Sequence, residues 1–333
     1  MSDETESIHV ESVIVRLPIM MYHYVRPLNQ RLSAKHKALD LNEFSRQLRI
    51  LTQEHYFVSG TSVRSLTFES PANSKPPVWL TFDDGYLDHF QYVLPELLSH
   101  GAVASFFIPT KAIFERTLLD VNKVHILLSA NVTTAQLIEH MRELFETNSG
   151  EVATGNSFDE LRSKYGVSNS LNDSDTRFIK ILLQQALPNE IRQIIIRGLF
   201  EEHIQREESA FVDEMYMTPD QVKQLHGYGM NIGSHGHEHS RYEFMSVDSQ
   251  KRDLEISLKY LSSLGIEDAF SVMCYPHGSF NSSSKIIVSE FGCEVAVSTK
   301  SAIAELGVKD VEWLELPRID TKYFYKFING EFD

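Results

Sequence analysis

The sequence predicts an α/β protein, a mostly parallel sheet or barrel with helices outside it, carrying a helical insertion. Three observations predict this. Strand-like and helix-like segments alternate near both ends of the 333-residue chain, the pattern of βα units around a parallel sheet. From about Lys111 to Met217 helical periods take over. Finally, clusters of ionisable residues follow directly on apolar runs, which puts them at the carboxyl edge of a sheet, where α/β folds hold their ligands.

The elements are justified in chain order. Val13 to Met21 reads as a strand, and a helix follows from about Asn42 to His55 with Phe44, Leu48 and Leu51 on one face. Strand Val78 to Phe82 leads into a helix from Tyr86 to His100, closed by Gly101, and then into strand Ala102 to Ile108. In the insertion, Thr133-Thr134-Ala135-Gln136 starts a helix whose stripe is Leu137, Ile138, Met141, Leu144 and Phe145. A second helix carries Phe178, Ile179, Leu182, Leu183 and Ala186. A third opens at Pro188 with Ile191, Ile194, Ile195 and Leu199, and the polar stretch Thr147 to Asp175 reads as a loop. Thr218-Pro219-Asp220-Gln221 is a capping box with proline at the first helical position, and the helix it opens ends near Gly227 or Gly229. Helix Val247 to Ser263 and strand Phe270 to Tyr275 complete the series.

Charge and composition narrow the functional classes. A net charge of −15, from 31 basic and 46 acidic residues, disfavours nucleic acid and anionic membrane surfaces as partners. No apolar run is long enough for a transmembrane segment, and Met1 to Glu6 lacks the basic start of a signal peptide, so a cytoplasmic location is expected. Two cysteines, Cys274 and Cys293, are too few for a disulfide framework and are expected as free thiols. A Cys274–His277 nucleophile has no visible feature that lowers the thiol pKa.

The chemistry concentrates in two segments. Asp83-Asp84-Gly85 ends the run Val78-Trp79-Leu80-Thr81-Phe82, and Gly233-Ser234-His235-Gly236-His237-Glu238-His239 follows Met230-Asn231-Ile232. Asp-Asp-Gly alone is a common turn. With His235 and His239 it becomes a metal-binding pattern, because a carboxylate and two imidazoles leave an open position for water on a divalent ion and a second carboxylate free to take a proton. A helical turn or a tight loop can bring the two imidazoles together, and His237 has the wrong parity to join them. Two histidines and a carboxylate also suit non-haem iron oxygenases, whose cosubstrate site has no counterpart in the sequence.

Thr81-Phe82-Asp83-Asp84-Gly85, His235-Gly236-His237-Glu238-His239 and Tyr275-Pro276-His277-Gly278 follow, in order, the first three motifs of the polysaccharide deacetylases. The chain therefore resembles the NodB-homology domains of carbohydrate esterase family 4 over roughly residues 13 to 110 and 216 to 320. The resemblance implies an irregular (β/α) barrel built from residues 1–110 and 216–333, with 111–215 as the helical insertion. It also implies Asp83 as general base and Asp84, His235 and His239 as ligands of a divalent metal, zinc first and Co, Ni, Fe or Mn as alternatives. The backbone amide of His277 would stabilise the oxyanion.

Two departures matter. Many members carry an arginine where this chain has Cys274, and Arg318 in Leu316-Pro317-Arg318-Ile319-Asp320 is the expected substitute. No histidine follows His277, so the usual C-terminal acid is missing. Pro18-Ile19-Met20-Met21-Tyr22-His23-Tyr24-Val25 resembles the opening strand of the poly-N-acetylglucosamine deacetylase subgroup, whose motif order is permuted, and this makes His23 the general acid. The expected function is metal-dependent hydrolysis of an N-acyl group, acetyl first, from an amino sugar in a glycan or an activated glycan precursor. Alternatives are a non-sugar amidase or deformylase on the same scaffold, and a catalytically impaired carbohydrate-binding protein. Tyr22, Tyr24, Tyr86, Tyr242 and Phe280 are expected near the site, where they can stack on sugar faces. The insertion is expected to serve as a lid or pocket wall, or as a homo-oligomer interface.

Overall fold

The computed structural model describes residues 14–28, 38–67, 75–148, 155–167, 173–307 and 311–332. Two compact units result, one of residues 1–27, 39–114 and 217–333, the other of 28–38 and 115–216. Val13 and the first six residues lie outside the described residues. The strands, in chain order, are β1 (Val15–Leu17), β2 (Ile19–Tyr22), β3 (Val25–Arg26), β4 (Leu39–Asp40), β5 (Tyr56–Val58), β6 (Pro77–Phe82), β7 (Ala104–Ile108), β8 (Asn231–Ser234), β9 (Val272–Cys274), β10 (Val295–Val297), β11 (Ala304–Leu306) and β12 (Ile319–Asp320). The helices are α1 (Leu41–Glu54), α2 (Leu94–Ser99), α3 (Thr110–Phe114), α4 (Asp120–Ser129), α5 (Thr134–Asn148), α6 (Phe158–Tyr165), α7 (Ser174–Ile181), α8 (Asn189–His203), α9 (Glu208–Met215), α10 (Pro219–Gly227), α11 (Val247–Ser263), α12 (Ser282–Glu290) and α13 (Phe324–Ile328).

Within the first unit, eight strands form one sheet in the order β10-β9-β8-β7-β6-β2-β12, with β5 beside the start of β6. Every pairing in it is parallel. The segment Leu316–Asp320 touches both edges: Leu316 donates to Ala296 and accepts from Ser298, while Ile319 and Asp320 pair with Met20 and Met21. One short segment thus draws the sheet into the irregular barrel that the family resemblance implies.

All six residues of β6 are buried, as a central parallel strand covered on both faces requires. Phe82 stacks between Tyr22 and Phe106 with ring centroids 4.9 Å away on either side, so the strand end that carries Asp83 is held by aromatic packing. Thr218 caps α10 as expected, its hydroxyl accepting from the Gln221 amide while the Gln221 side chain accepts from the Thr218 amide. Among the described residues no helix is long and apolar enough to cross a membrane, and Cys274 and Cys293 are free thiols.

Four expectations need correction. The first strand is broken at Pro18, which has no N–H for a ladder: β1 pairs with β11 antiparallel, while β2 joins the main sheet. The helix expected over 86–100 contains a π-helical turn, His89–Val93, ahead of α2. Before β9 the chain makes a 3₁₀ turn at Glu267–Phe270, so that strand is shorter than its apolar run. The supposed loop Thr147 to Asp175 contains α6, capped by Ser157 and Glu160 in a reciprocal box; residues 149–154 and 168–172 lie outside the described residues.

The second unit is helical, with α4 and α9 added to the expected set. Leu137, Met141 and Phe145 are buried along α5, and Phe158 of α6 packs edge-on against Phe178 of α7, with centroids 5.4 Å apart. Arg162 pairs with Asp175, tying α6 to α7.

Candidate active site

The barrel brings together three strand ends that are far apart in sequence. Asp83 and Asp84 follow β6, His235 follows β8, and Cys274 ends β9. Asp84 and Gly85 adopt left-handed backbone conformations, with φ of 75° and 64°. His239 (φ 55°) and His277 (φ 57°) do so as well, and non-glycine residues held there concentrate at functional sites.

Asp84, His235 and His239 are all buried, and one donor atom from each lies within 4.8 Å of the other two. Asp84 Oδ2 accepts from the Tyr86 hydroxyl at 2.8 Å. Its Oδ1 is buried and accepts no hydrogen bond among the described residues, although Nε2 of His239 lies 3.1 Å away and Nε2 of His235 3.5 Å away. The carbonyl of Cys274 lies 2.7 Å from Nδ1 of His235 and can only accept, so Nδ1 carries the proton and Nε2 of a neutral ring offers a lone pair. An imidazole lone pair and a carboxylate oxygen facing each other repel unless a proton or a cation lies between them. The donor set and the unpartnered oxygen therefore fit a divalent ion with nitrogen and oxygen ligands.

His237, left out of this set on sequence, is buried. Its Nδ1 lies 3.0 Å from the Thr110 hydroxyl, and its ring stacks on Tyr260. A second grouping, Asp83, His235 and Cys274, is equally compact. The Arg318 guanidinium touches both Asp83 and Cys274 there, and its charge opposes a further cation.

Asp83 has a different environment from its neighbour. Arg318, fully buried, grips it with two bonds, Nη1 to Oδ1 at 2.8 Å and Nη2 to Oδ2 at 2.7 Å. The remaining donors of the guanidinium reach the Thr81 hydroxyl at 3.1 Å, Cys274 Sγ at 3.1 Å and the Ser298 carbonyl at 2.8 Å, which satisfies all five N–H groups. Burial by itself would raise the Asp83 carboxyl, but Arg318 overrides it and holds the group at about 2. Arg318 thus lies against the thiol that stands where many relatives have arginine. Nε2 of His23 is 3.7 Å from Asp83 Oδ2, too long for a hydrogen bond, and its side chain is 44% exposed.

The turn at Pro276–Gly278 begins its ladder at Gly278, whose amide donates to the Tyr275 carbonyl. The His277 amide, one residue earlier, lies outside that ladder, as the first donors of a helical turn do. Burial pushes the His277 imidazole well below its ordinary value, and its ring centroid lies 4.5 Å from that of His239.

The stacking expectation fails for four of its five residues. Tyr22, Tyr24, Tyr86 and Tyr242 are buried: Tyr22 stacks on Phe82, Tyr24 on Tyr86, and Tyr242 packs edge-on against Tyr275. Their ring faces pack in the core instead of being presented to a sugar, although Tyr86 stands at the site as expected, with its hydroxyl on Asp84.

Sequence reasoning missed Asp253, a buried carboxylate in α11 that bonds to the loop between His235 and His239. The available signal was its place in the stripe Gln250, Asp253, Leu254, Ser257, Leu258 and Leu261, all buried on one face. A charge on such a face needs partners.

The profile of the family described as "Polysaccharide deacetylase" matches residues 175–296, which include the second and third motifs. A search of curated protein sequences returns no match. Among solved structures, the chain is similar to a Streptococcus pyogenes deacetylase, PplD, in complex with acetate. That pair shares 18% identity over 96% of this chain and 100% of the other, with a TM-score of 0.58. IcaB from Ammonifex degensii gives 13% identity, 95% and 97% coverage and a TM-score of 0.55. A de-N-acetylase from Aggregatibacter actinomycetemcomitans gives 14%, 95% and 99%, and 0.53. At these identities the solved structures establish the fold. The resemblance to the polysaccharide deacetylases is thus carried by sequence over residues 175–296 and by fold over nearly the whole chain.

Proposed function

We propose that the protein is a metal-dependent deacylase that hydrolyses the N-acetyl group of an amino sugar, in a glycan or an activated glycan precursor. The observation that carries this reading is the division of labour between adjacent carboxylates. Asp84 turns an unpartnered oxygen toward two imidazoles, while Asp83 is aligned by Arg318 with His23 beside it. The family profile and the complex of the similar PplD deacetylase with acetate favour acetyl over other acyl groups.

Asp84, His235 and His239 would hold a divalent cation, zinc first by its ligand set. Bound there, it would act as a Lewis acid and make water nucleophilic near neutral pH. Asp83, fixed by Arg318, accepts the proton of the attacking water. The His277 amide donates to the oxygen that gains charge as the water oxygen bonds to the acyl carbon. His23 gives its proton to the amine nitrogen as the C–N bond breaks, releasing acetate and the free amino sugar. Arg318 at Asp83 also argues against the impaired-binding alternative, since the orienting cation missing from position 274 has an equivalent.

The test is amine release from N-acetylglucosamine, UDP-N-acetylglucosamine and short chito-oligomers, with wild type beside His23→Ala. Release by wild type, reduced in His23→Ala with metal content unchanged, is the expected result. No release from any of these, with one equivalent of metal bound, would move the reading to a non-sugar amide.

A further inference from the structure

We propose that Asp253 is a positioning residue, which sets the separation of the His235 and His239 imidazoles through the backbone of the loop between them. This inference rests on the proposed metal-binding role of those two histidines.

Three groups converge on one carboxylate. Asp253 Oδ2 accepts from the His237 amide at 2.9 Å and from the Tyr242 hydroxyl at 2.8 Å, and Oδ1 accepts from the Glu238 amide at 2.8 Å. On the other side, the amides of Thr110 and Lys111, the first donors of α3, give hydrogen bonds of 3.1 Å to the carbonyls of Gly236 and His237. The loop is therefore clamped from both sides, its amides by α11 and its carbonyls by α3. The clamp spans the residues that must bend sharply: Gly236 lies at φ 71° and His239 at φ 55°. A Cβ on Gly236 would stand 2.8 Å from Asp253 Oδ2, so the carboxylate lies hard against the turn. Asp253 is 4% exposed, and without it the buried His237 amide and the part-buried Glu238 amide would lose their acceptor, a loss felt directly by the loop.

The experiment measures cobalt(II) binding by calorimetry and by the visible spectrum of the bound ion, using folded protein at a temperature well below unfolding. Asp253→Asn is expected to weaken binding by roughly tenfold or more, the scale of supporting-residue effects at metal sites, and to alter the spectrum. Tyr242→Phe, which removes one of the three donors and no amide, is expected to weaken it by a few fold. Ser105→Ala is the control: it disturbs the buried cluster of Trp79, Ser105 and Asn231 away from the loop and is expected to leave affinity unchanged. If Asp253→Asn does not fold, the Tyr242→Phe result decides. Wild-type affinity and spectrum in every folded variant would overturn the positioning role. No cobalt binding by wild type would instead overturn the metal reading beneath it, and the positioning role with it.

Discussion

Asp83 and Asp84 share a peptide bond, yet their carboxylates meet opposite partners. Arg318 keeps Asp83 ionised down to about pH 2, so the carboxylate is in its acceptor form at any working pH, although the same pairing lowers its basicity. Asp83→Asn is expected to cut amine release by roughly 100-fold or more while metal content stays at one equivalent, checked by initial rates and metal analysis. Arg318→Ala leaves a buried carboxylate unpaired, for which the expected loss is about 3–5 kcal/mol in chemical denaturation. At this scale the sequence was largely legible. Asp83, Asp84, His235 and His239 form a pattern that the fold brings together, and Arg318 was findable because it follows a short apolar stretch. The hydrogen bonds from Tyr86 to Asp84 and from the loop to Asp253 were not, because neither partner's local sequence announces the other.

Elements were legible where periodicity was long and capped. Helix α11 runs over Val247–Ser263 as its pattern predicts, and α10 starts at its capping box. Errors fell where a local backbone rule overrode an apolar run, as at Pro18, or where a short helix was embedded in polar sequence, as in α6. The loop between the two imidazoles offers an element-scale test. Gly236→Ala would place a Cβ at φ 71° and 2.8 Å from Asp253 Oδ2. The left-handed conformation alone costs about 1–2 kcal/mol. Gly236→Ala is therefore expected to lower stability by at least that amount in denaturant titration and to weaken metal binding, whereas an unchanged midpoint would show that the turn can relax.

At the scale of the whole molecule, acid stability follows from buried histidine. His89 is fully buried in the π-helical turn, with Nε2 2.8 Å from the His23 carbonyl; burial pushes it down to about 4. Because its folded pKa is depressed, the unfolded chain takes up the proton first, near pH 6.5. Stability from this group is therefore complete above pH 6.5 and is lost as pH falls toward 4, by about 3 kcal/mol. His89→Gln, which keeps an N–H donor and removes the titration, is expected to show a shallower decline in denaturation midpoint over that range; an equally steep decline would assign acid sensitivity to other groups.

The proposed mechanism requires one divalent ion, held by Asp84, His235 and His239. The most direct measurement is a zinc titration of chelated protein with amine release as readout, run beside Asp84→Ala. Activity is expected to rise from background to a plateau at one equivalent of zinc, and Asp84→Ala to stay at background throughout. Full activity in thoroughly chelated wild type, or restoration of Asp84→Ala at one equivalent, would contradict that mechanism.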